Sequence, residues 1–409
     1  NPDALAQNAR LNAAEASDFA AATGRFASAP PEFSLRLESW EISPYFDTYF
    51  AGRLYQGQGA LFSNFGLGAQ ALWVDPLGDH RIFASIMAML NFSNNDQFVS
   101  YSYLPDLLDY EIQLFRTARE NLVIDQREAI PGLLSYIGGA AKVTLPLAEG
   151  LRLEGKASFV NALRESLVAA GARVNRSDFF IAPEIRLVLD NTETGFFGPV
   201  SGARGFAQID GAPFGLADLS FVRAIADYRQ YIPLGGSATL AARVGAGVNL
   251  GDTPQNFLAG GQEHMIVGRS VGPDILPFNR GEDLFFLQSV MPMRAFALAE
   301  RLGSNFFTAN IEMRLALLTP DNFNGLQGVA FADVGSAWTN ELRFNPPRAL
   351  FDAFDQYVGL ADGDLLISLG AGIRTFLLGQ HPVKIDVAWQ FLQDGPMLPR
   401  LVIGFGYNF

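Results

Sequence analysis

The sequence predicts an all-β fold: a closed antiparallel transmembrane β-barrel of about 16 strands with a long loop folded into its lumen. Three observations carry that expectation. From about Phe33 onward the residue pattern has a period of two, interrupted by turn residues. Apolar residues make up 49% of the 409-residue chain and charged residues 17%. No run approaches the ~18 to 20 uncharged apolar residues that a membrane-spanning helix needs, so the hydrophobicity is spread over many short strands. The last ten residues, RLVIGFGYNF, alternate strictly and stop on an aromatic side chain.

Taken in order, residues 1–32 are Ala-rich with polar spacing and end near a proline pair, which predicts a short helix or linker ahead of a barrel over residues 33–409. Runs between turn signals place strands at residues 49–62, 67–74, 81–92, 97–103, 110–119, 133–145, 151–162, 178–191, 200–209, 216–231 and 237–250. Five more follow at 306–318, 326–338, 365–377, 382–392 and 400–409. One connection stands out: more than fifty residues separate Leu250 from Ser304, far beyond an ordinary hairpin loop. It holds Gly260-Gly261, several prolines and Arg294, and is expected to fold over or into the lumen.

The strands are two-faced. Val383, Ile385, Val387, Trp389 and Phe391 share one side of their strand, with Lys384, Asp386 and Gln390 opposite. Leu240, Val244, Val248 and Leu250 oppose Thr239, Arg243 and Asn249. Phe307, Ile311, Met313, Leu315 and Leu317 oppose Thr308, Asn310, Glu312 and Arg314. In a soluble sandwich the charged face meets solvent; in a membrane barrel it lines a wet lumen and the apolar face meets lipid. Alternation alone leaves both open, and the number of strands with the terminal aromatic favours the membrane. At the end of the chain Leu401, Ile403, Phe405, Tyr407 and Phe409 share a face. An ending of this kind resembles bacterial outer-membrane barrels, which commonly finish on a Phe that their assembly machinery reads. Phe405, Tyr407 and Phe409 are therefore the expected assembly signal.

Composition excludes several classes. With no Cys there is neither a disulfide nor a thiol-ligated metal, which suits a route through the oxidising periplasm. A net charge of −13 argues against a nucleic-acid partner. Asp75-Pro76-Leu77-Gly78-Asp79-His80 reads as a hairpin turn; with three His in the whole chain, a metal site there is not expected. No nucleophile elbow, phosphate loop or paired catalytic acids are present, so neither an enzyme nor a cofactor is expected. Tyr101, Tyr103, Phe196, Phe197, Phe285 and Phe286 read as interfacial girdle or packing residues. No signal peptide is visible at Asn1, which suits a mature form or a fragment with an upstream periplasmic domain removed.

Several motifs stand together in a recognisable order. Phe257-Leu258-Ala259-Gly260-Gly261, Met293-Arg294-Ala295-Phe296, Gly303 to Leu315 and Phe331-Ala332-Asp333-Val334-Gly335 follow one another, and Asp190-Asn191 with Gly198-Pro199 and Gly202 precede them. This order resembles the bacterial surface-antigen barrel superfamily, which includes the barrel-assembly insertase and the two-partner secretion translocators. In that family Gly-Gly opens a long sixth extracellular loop whose tip reads Val-Arg-Gly-Phe/Tyr. Here Ala295 replaces the usual Gly, at a position where the tip conformation calls for positive φ. The turn at Asp75 to His80 is also similar to one in chains whose barrel follows a β-propeller domain. Gly202-Ala203-Arg204-Gly205-Phe206 carries the same nominal tripeptide too early in the chain, and reads as strand and turn.

Glu312 lies on the polar face of its strand and Asp333 is expected inward on the next, beside Val329 and Phe331. An Arg294 brought into the lumen with the loop tip, Ala295 and Phe296, then reaches both carboxylates through forked, charge-assisted hydrogen bonds. The resemblance implies insertion or translocation of polypeptide through a weak seam between first and last strands, here Gly57 and Gly59 against Leu401 and Tyr407. It implies as partners outer-membrane lipid and lipopolysaccharide and other envelope proteins. Two other readings stand beside it: a structural anchor for a periplasmic or surface assembly and, less favoured by the long loop, a solute channel.

Overall fold

A computed structural model of the chain describes residues 34–46, 65–89, 95–105, 107–125, 128–168, 172–213, 219–262, 265–267, 288–290, 292–296, 300–318, 325–340, 342, 365–377, 381–391 and 399–405. The first strands are β1 (Arg36–Phe46), β2 (Phe65–Val74), β3 (His80–Met89), β4 (Asn95–Tyr103), β5 (Asp109–Asp125), β6 (Glu128–Ala148), β7 (Leu151–Val168) and β8 (Ala172–Asp190). Next come β9 (Glu193–Gly195), β10 (Gly198–Ala212), β11 (Phe221–Gly235), β12 (Ala238–Gly251), β13 (Phe257–Ala259), β14 (Met265–Val267), β15 (Gln288–Val290) and β16 (Arg301–Gly303). The chain continues through β17 (Asn305–Leu318), β18 (Leu326–Trp338), β19 (Leu366–Leu377), β20 (His381–Phe391) and β21 (Arg400–Phe405).

The main sheet contains 18 strands. Without the three-residue strands β9 and β14 it is a sixteen-strand antiparallel meander, β1 through β8, then β10 to β12, then β17 to β21, each paired with its predecessor. Connections at the end bearing the termini are short: residues 75–79, 104–108, 149–150, 191–197, 236–237, 319–325 and 378–380. All the long ones, 47–64, 252–304 and 339–365, lie at the other end. Outer-membrane barrels are asymmetric in this way, with short periplasmic turns and long extracellular loops.

Burial decides which face is which. Asp210, Arg223, Asp227, Glu312, Arg314, Asp333, Arg374, Lys384 and Asp386 are all buried, while Ile112, Leu114, Ile185, Val244, Ile311 and Met313 are exposed. On β17 the two sets alternate, from Thr308, Asn310, Glu312 and Arg314 inside to Ile311, Met313 and Leu315 outside. A soluble sandwich shows the opposite arrangement, because buried charge is costly and apolar surface is driven from water. Ionic side chains indoors and a continuous apolar exterior suit only a wet, charged interior inside a lipid-facing wall.

Two differences from the sequence expectation concern extent. The first described strand is Arg36–Phe46, paired with Phe65–Val74, not one at 49–62; that span, with Gly57 and Gly59, lies outside the described residues. A bulge between Leu37 and Ser39 breaks the alternation at the start of β1, putting Leu37 out of step with Trp40, Ile42, Pro44 and Phe46, which share one face of the strand opposite Ser39, Glu41 and Ser43. Strands β5 to β8 run to 17, 21, 18 and 19 residues, well beyond the ~9 to 11 that cross a bilayer. The linker span 1–32, Phe285, Phe286, Tyr407 and Phe409 also lie outside the described residues.

Candidate functional site

The long connection returns to the barrel wall at a small second sheet, in which β13 pairs with both β15 and β16. Gly260 and Gly261 follow β13 with φ of 133° and 82°, a path that only glycine follows freely. They turn the chain so that Gly261 and Met293 exchange backbone hydrogen bonds of 3.2 and 2.7 Å. Beneath this base Phe257, Ala259, Val290, Met293 and Phe296 form an apolar cluster with Ile225, Phe306, Ala337 and Leu366 of the wall. The cluster fastens the two ends of the loop and delivers residues 292–296 to the inner faces of β17 and β18.

Arg294 is fully buried there, with none of its surface exposed. Its Nε and Nη2 donate to the two oxygens of Asp333 at 2.8 and 2.5 Å, and its Nη1 donates to Glu312 Oε1 at 2.5 Å. The Arg294 backbone N–H donates to Asp333 Oδ2 as well, at 3.1 Å. A guanidinium matches a carboxylate through two parallel bonds, so Asp333 fixes both the position and the plane of the cation. The plane lies over Phe331, its Cζ 3.4 Å from the ring centroid. Phe331 in turn lies on Gly370, where a Cβ would stand 2.4 Å from the ring's Cζ.

A second circle of donors completes the carboxylates. Asn310 Nδ2 donates to Asp333 Oδ1 at 2.9 Å and to the Pro292 carbonyl at 2.8 Å. Ser368 Oγ donates to Asp333 Oδ2 at 3.2 Å, and Arg314 Nε donates to Glu312 Oε2 at 2.9 Å. Two cations thus face two anions, which is the condition for burying such a group without stranding a charge. Ala295 sits beside the guanidinium with φ of 72°, the left-handed conformation expected of this tip, and packs with Val329, Phe331 and Ala388. It is the non-glycine residue found there among those described.

Sequence reasoning named Arg294, Glu312 and Asp333 and put Phe296 at the tip. It did not assign Asn310, Arg314, Phe331 or Ser368 to the site. The missing signal is register: Asn310, Asp333 and Ser368 are direct cross-strand neighbours, so they lie on one inward row once three strands are aligned. Of the residues named for the seam, Leu401 is exposed on β21 and Phe405 ends that strand. Asp75 to His80 form the expected hairpin turn, with Asp75 Oδ1 accepting the His80 N–H at 2.9 Å. Among the described residues no group of three or more side chains has a metal-binding arrangement.

A long loop folded to the inner wall of a sixteen-strand barrel is the setting in which the family comparison is decisive. Residues 175–406 match the Omp85 superfamily domain. The chain belongs to the Omp85 superfamily. Its fold is similar to that of BamA from Haemophilus ducreyi lacking POTRA domains 1–3, with a TM-score of 0.59 and 11% identity over 91% of this chain and 74% of that one. CdiB from Escherichia coli is similar with a TM-score of 0.55 and 11% identity over 93% of this chain and 64% of CdiB, so the chain spans less than two thirds of CdiB. No curated protein sequence matches it. As an Omp85 barrel the protein resides in the bacterial outer membrane, among barrels of the insertase and translocator type.

Proposed function

We propose that this Omp85 barrel moves polypeptides into or across the outer membrane, and that Arg294, Asp333 and Glu312 lock its long loop inside the lumen while the wall between β21 and β1 yields. The observation that carries the reading is the buried Arg294 fork in a barrel of this family. The lock fastens β17 and β18 from within, and on this reading deformation falls to the wall beyond β20, at the end of the meander. Partners on this reading are the outer-membrane lipid and lipopolysaccharide around the wall, envelope proteins, and a client polypeptide.

The lock has its own test. Removing one member of a buried, fully paired ionic group costs about 3 to 5 kcal/mol, so Arg294→Ala lowers the temperature at which the barrel loses its compact gel migration. Arg294→Lys is not conservative, because an ammonium cannot make the fork. A variant of Arg294→Ala that keeps wild-type heat resistance overturns the lock.

For transport, cysteines introduced along β1 and β21 tether the seam; the native chain has no Cys, so the pair is the sole disulfide. Oxidation is expected to lower the amount of client proteins in the outer membrane or outside the cell, and reduction to restore it. The rival reading, a permanently shut anchor, is favoured by how completely the loop tip is buried. It predicts that the tethered, folded barrel leaves every such protein unchanged.

A further inference from the structure

Near its periplasmic mouth the inner wall carries two cations without an anion. On β8, Ile185 and Leu187 are exposed on the lipid side, which turns Arg186 between them into the lumen. On β10, Ala207 and Ile209 are exposed in the same way, and Arg204 and Phe206 face inward. The Arg186 guanidinium lies over the ring of Phe206, 4.1 Å from its centroid, and that of Arg204 stands over the ring of Tyr231 at 5.7 Å. Neither makes an ion pair among the described residues, and the Nε of each is buried without a hydrogen-bond partner, as is the hydroxyl of Tyr231.

Each carboxylate nearby is committed elsewhere. Glu154, the direct cross-strand partner of Arg186, accepts from Arg152 Nε at 2.6 Å. Glu184, next on the same face of β8, is held by Lys156 at 2.8 Å. Asp190 lies opposite Arg204 but turns back to the N–H and the hydroxyl of Thr192, at 3.2 and 2.7 Å. Asp227, inward on β11, already serves both Arg229 and Arg243, at 2.6 Å each. In a chain of net charge −13, this local surplus of guanidinium is not a by-product of basic composition. A guanidinium held by its face on an aromatic ring keeps its planar edge for a forked acceptor. Buried donors without acceptors carry a free-energy cost that a bound anion removes.

We infer that Arg186 and Arg204 form a two-point anion track that binds an extended, acidic segment of polypeptide entering the lumen from the periplasm. The register sets the size of the ligand. Arg204 lies opposite Asp190, four residues along β8 from Arg186, which is about 13 Å of strand. One carboxylate or one phosphate cannot meet both cations. An extended peptide does, because its side chains at i and i+4 share a side and stand the same distance apart. A lipid phosphate fits poorly: acyl chains belong against the outer face, where Ile185, Leu187 and Ile209 are exposed, and the lumen between is charged. Phe206 packs on the cluster that holds Phe257, Met293 and Phe296, so a bound segment lies beside the base of the locked loop. The inference rests on the polypeptide-handling reading above and names the chemistry that the client presents.

The test uses the full chain in phosphatidylcholine vesicles and a fluorescent peptide that alternates Glu with Ser, compared with the same peptide carrying Gln for Glu. The Glu peptide is expected to bind at least about tenfold more tightly, with the advantage shrinking as salt rises. Arg186→Gln and Arg204→Gln are each expected to weaken its binding about tenfold. Arg81→Gln, which removes a cation at the same end of the barrel on β3, is expected to leave it unchanged. Equal binding of the two peptides, or indifference to both track substitutions, overturns the inference. Wild-type heat resistance is expected of the track variants, because neither cation holds a carboxylate. If Gln unfolds the barrel, Arg204→Lys keeps the charge but not the fork and is expected to bind several-fold more weakly than wild type; undiminished binding overturns the inference. Inorganic phosphate at the concentration of the peptide is expected not to displace it. Full displacement shows a one-point anion site, and displacement by lipopolysaccharide added to the vesicles shows a lipid-phosphate site; either overturns the track. In cells the double variant Arg186→Gln, Arg204→Gln is expected to lower client delivery several-fold, and unchanged delivery overturns the role assigned to the track. Peptide binding is read on the isolated barrel and transport through the wall by the β1–β21 tether, so failure of the track and failure of the polypeptide-handling reading show separately.

Discussion

At the scale of single residues, Ala295 is where the chain departs from its family and where the backbone is strained to hold the shared shape. Its φ of 72° brings Cβ against the following carbonyl, a conformation that costs an L-residue roughly 1 to 2 kcal/mol. Glycine relieves that strain and returns part of the gain through greater freedom in the unfolded chain. Ala295→Gly is therefore expected to stabilise the barrel by about 0.5 to 1 kcal/mol, read as a higher midpoint in urea unfolding from lipid vesicles. A neutral or lower midpoint means that the packing of the Ala295 methyl with Val329, Phe331 and Ala388 outweighs the strain. Asp75 offers a residue-scale test at the periplasmic end. Hydrogen bonds from the His80 and Leu77 N–H groups hold its carboxyl below the ordinary value, against the opposing effect of burial. A depressed folded value contributes stability above the unfolded one, and that contribution fades as pH falls through the folded one. The stability difference between wild type and Asp75→Ala is thus expected to be level above about pH 5 and to shrink steadily towards about pH 2. A difference that is unchanged at low pH removes the ionised carboxylate from the explanation.

At the scale of elements, fifteen of the strands in the meander overlap the spans expected from alternation, because lipid on one side and a wet lumen on the other impose a period of two on each residue that crosses. Where one of those solvents is absent the pattern fades. Strands β5, β7 and β8 carry Arg119-Glu120, Arg164-Glu165 and Arg173 to Arg176 towards their loop-end tips, so the apolar alternation stops there although the ladder goes on. Strand β1 is obscured for a different reason: its apolar face, Trp40 to Phe46, is thrown out of step with Leu37 by the bulge between Leu37 and Ser39. The inward faces of Glu312 and Asp333 are legible because they sit on fully alternating strands; the stack of Arg294 on Phe331 is not, since it depends on a loop returning from over thirty residues away. If the tips of β5 and β6 lie beyond the bilayer, they are dispensable for folding. Replacing residues 121–132 by Asn-Gly keeps Glu120 and Leu133 as direct partners, as they are now, across a turn suited to a two-residue hairpin. Assembly yield and compact gel migration are expected to match wild type. A sharp fall in yield places those tips within the folding core.

At the scale of the whole molecule, the distribution of charge and apolar surface is inverted relative to a soluble protein, and that inversion predicts a dependence on depth rather than on burial. Ile311 and Leu250 are both apolar, exposed residues of the wall, at 47% and 64% exposure; by the rules of a soluble surface either accepts a charge at little cost. In this barrel the surroundings differ. Ile311 lies near the middle of β17 and Leu250 near the loop end of β12, so the first faces the hydrocarbon centre and the second the headgroup region. An arginine on the lipid face costs roughly 2 to 4 kcal/mol at the midplane and about 0 to 1 kcal/mol near the interface. Ile311→Arg is therefore expected to destabilise the barrel by about 1 to 4 kcal/mol more than Leu250→Arg does, measured by reversible unfolding in vesicles of one lipid thickness. Thinner bilayers should narrow the gap, since they let the arginine at 311 reach headgroups by extending its stem. Equal costs at the two positions, or a gap indifferent to lipid thickness, would mean that β17 does not cross the membrane at its centre, and the orientation drawn from the loop lengths would have to be abandoned.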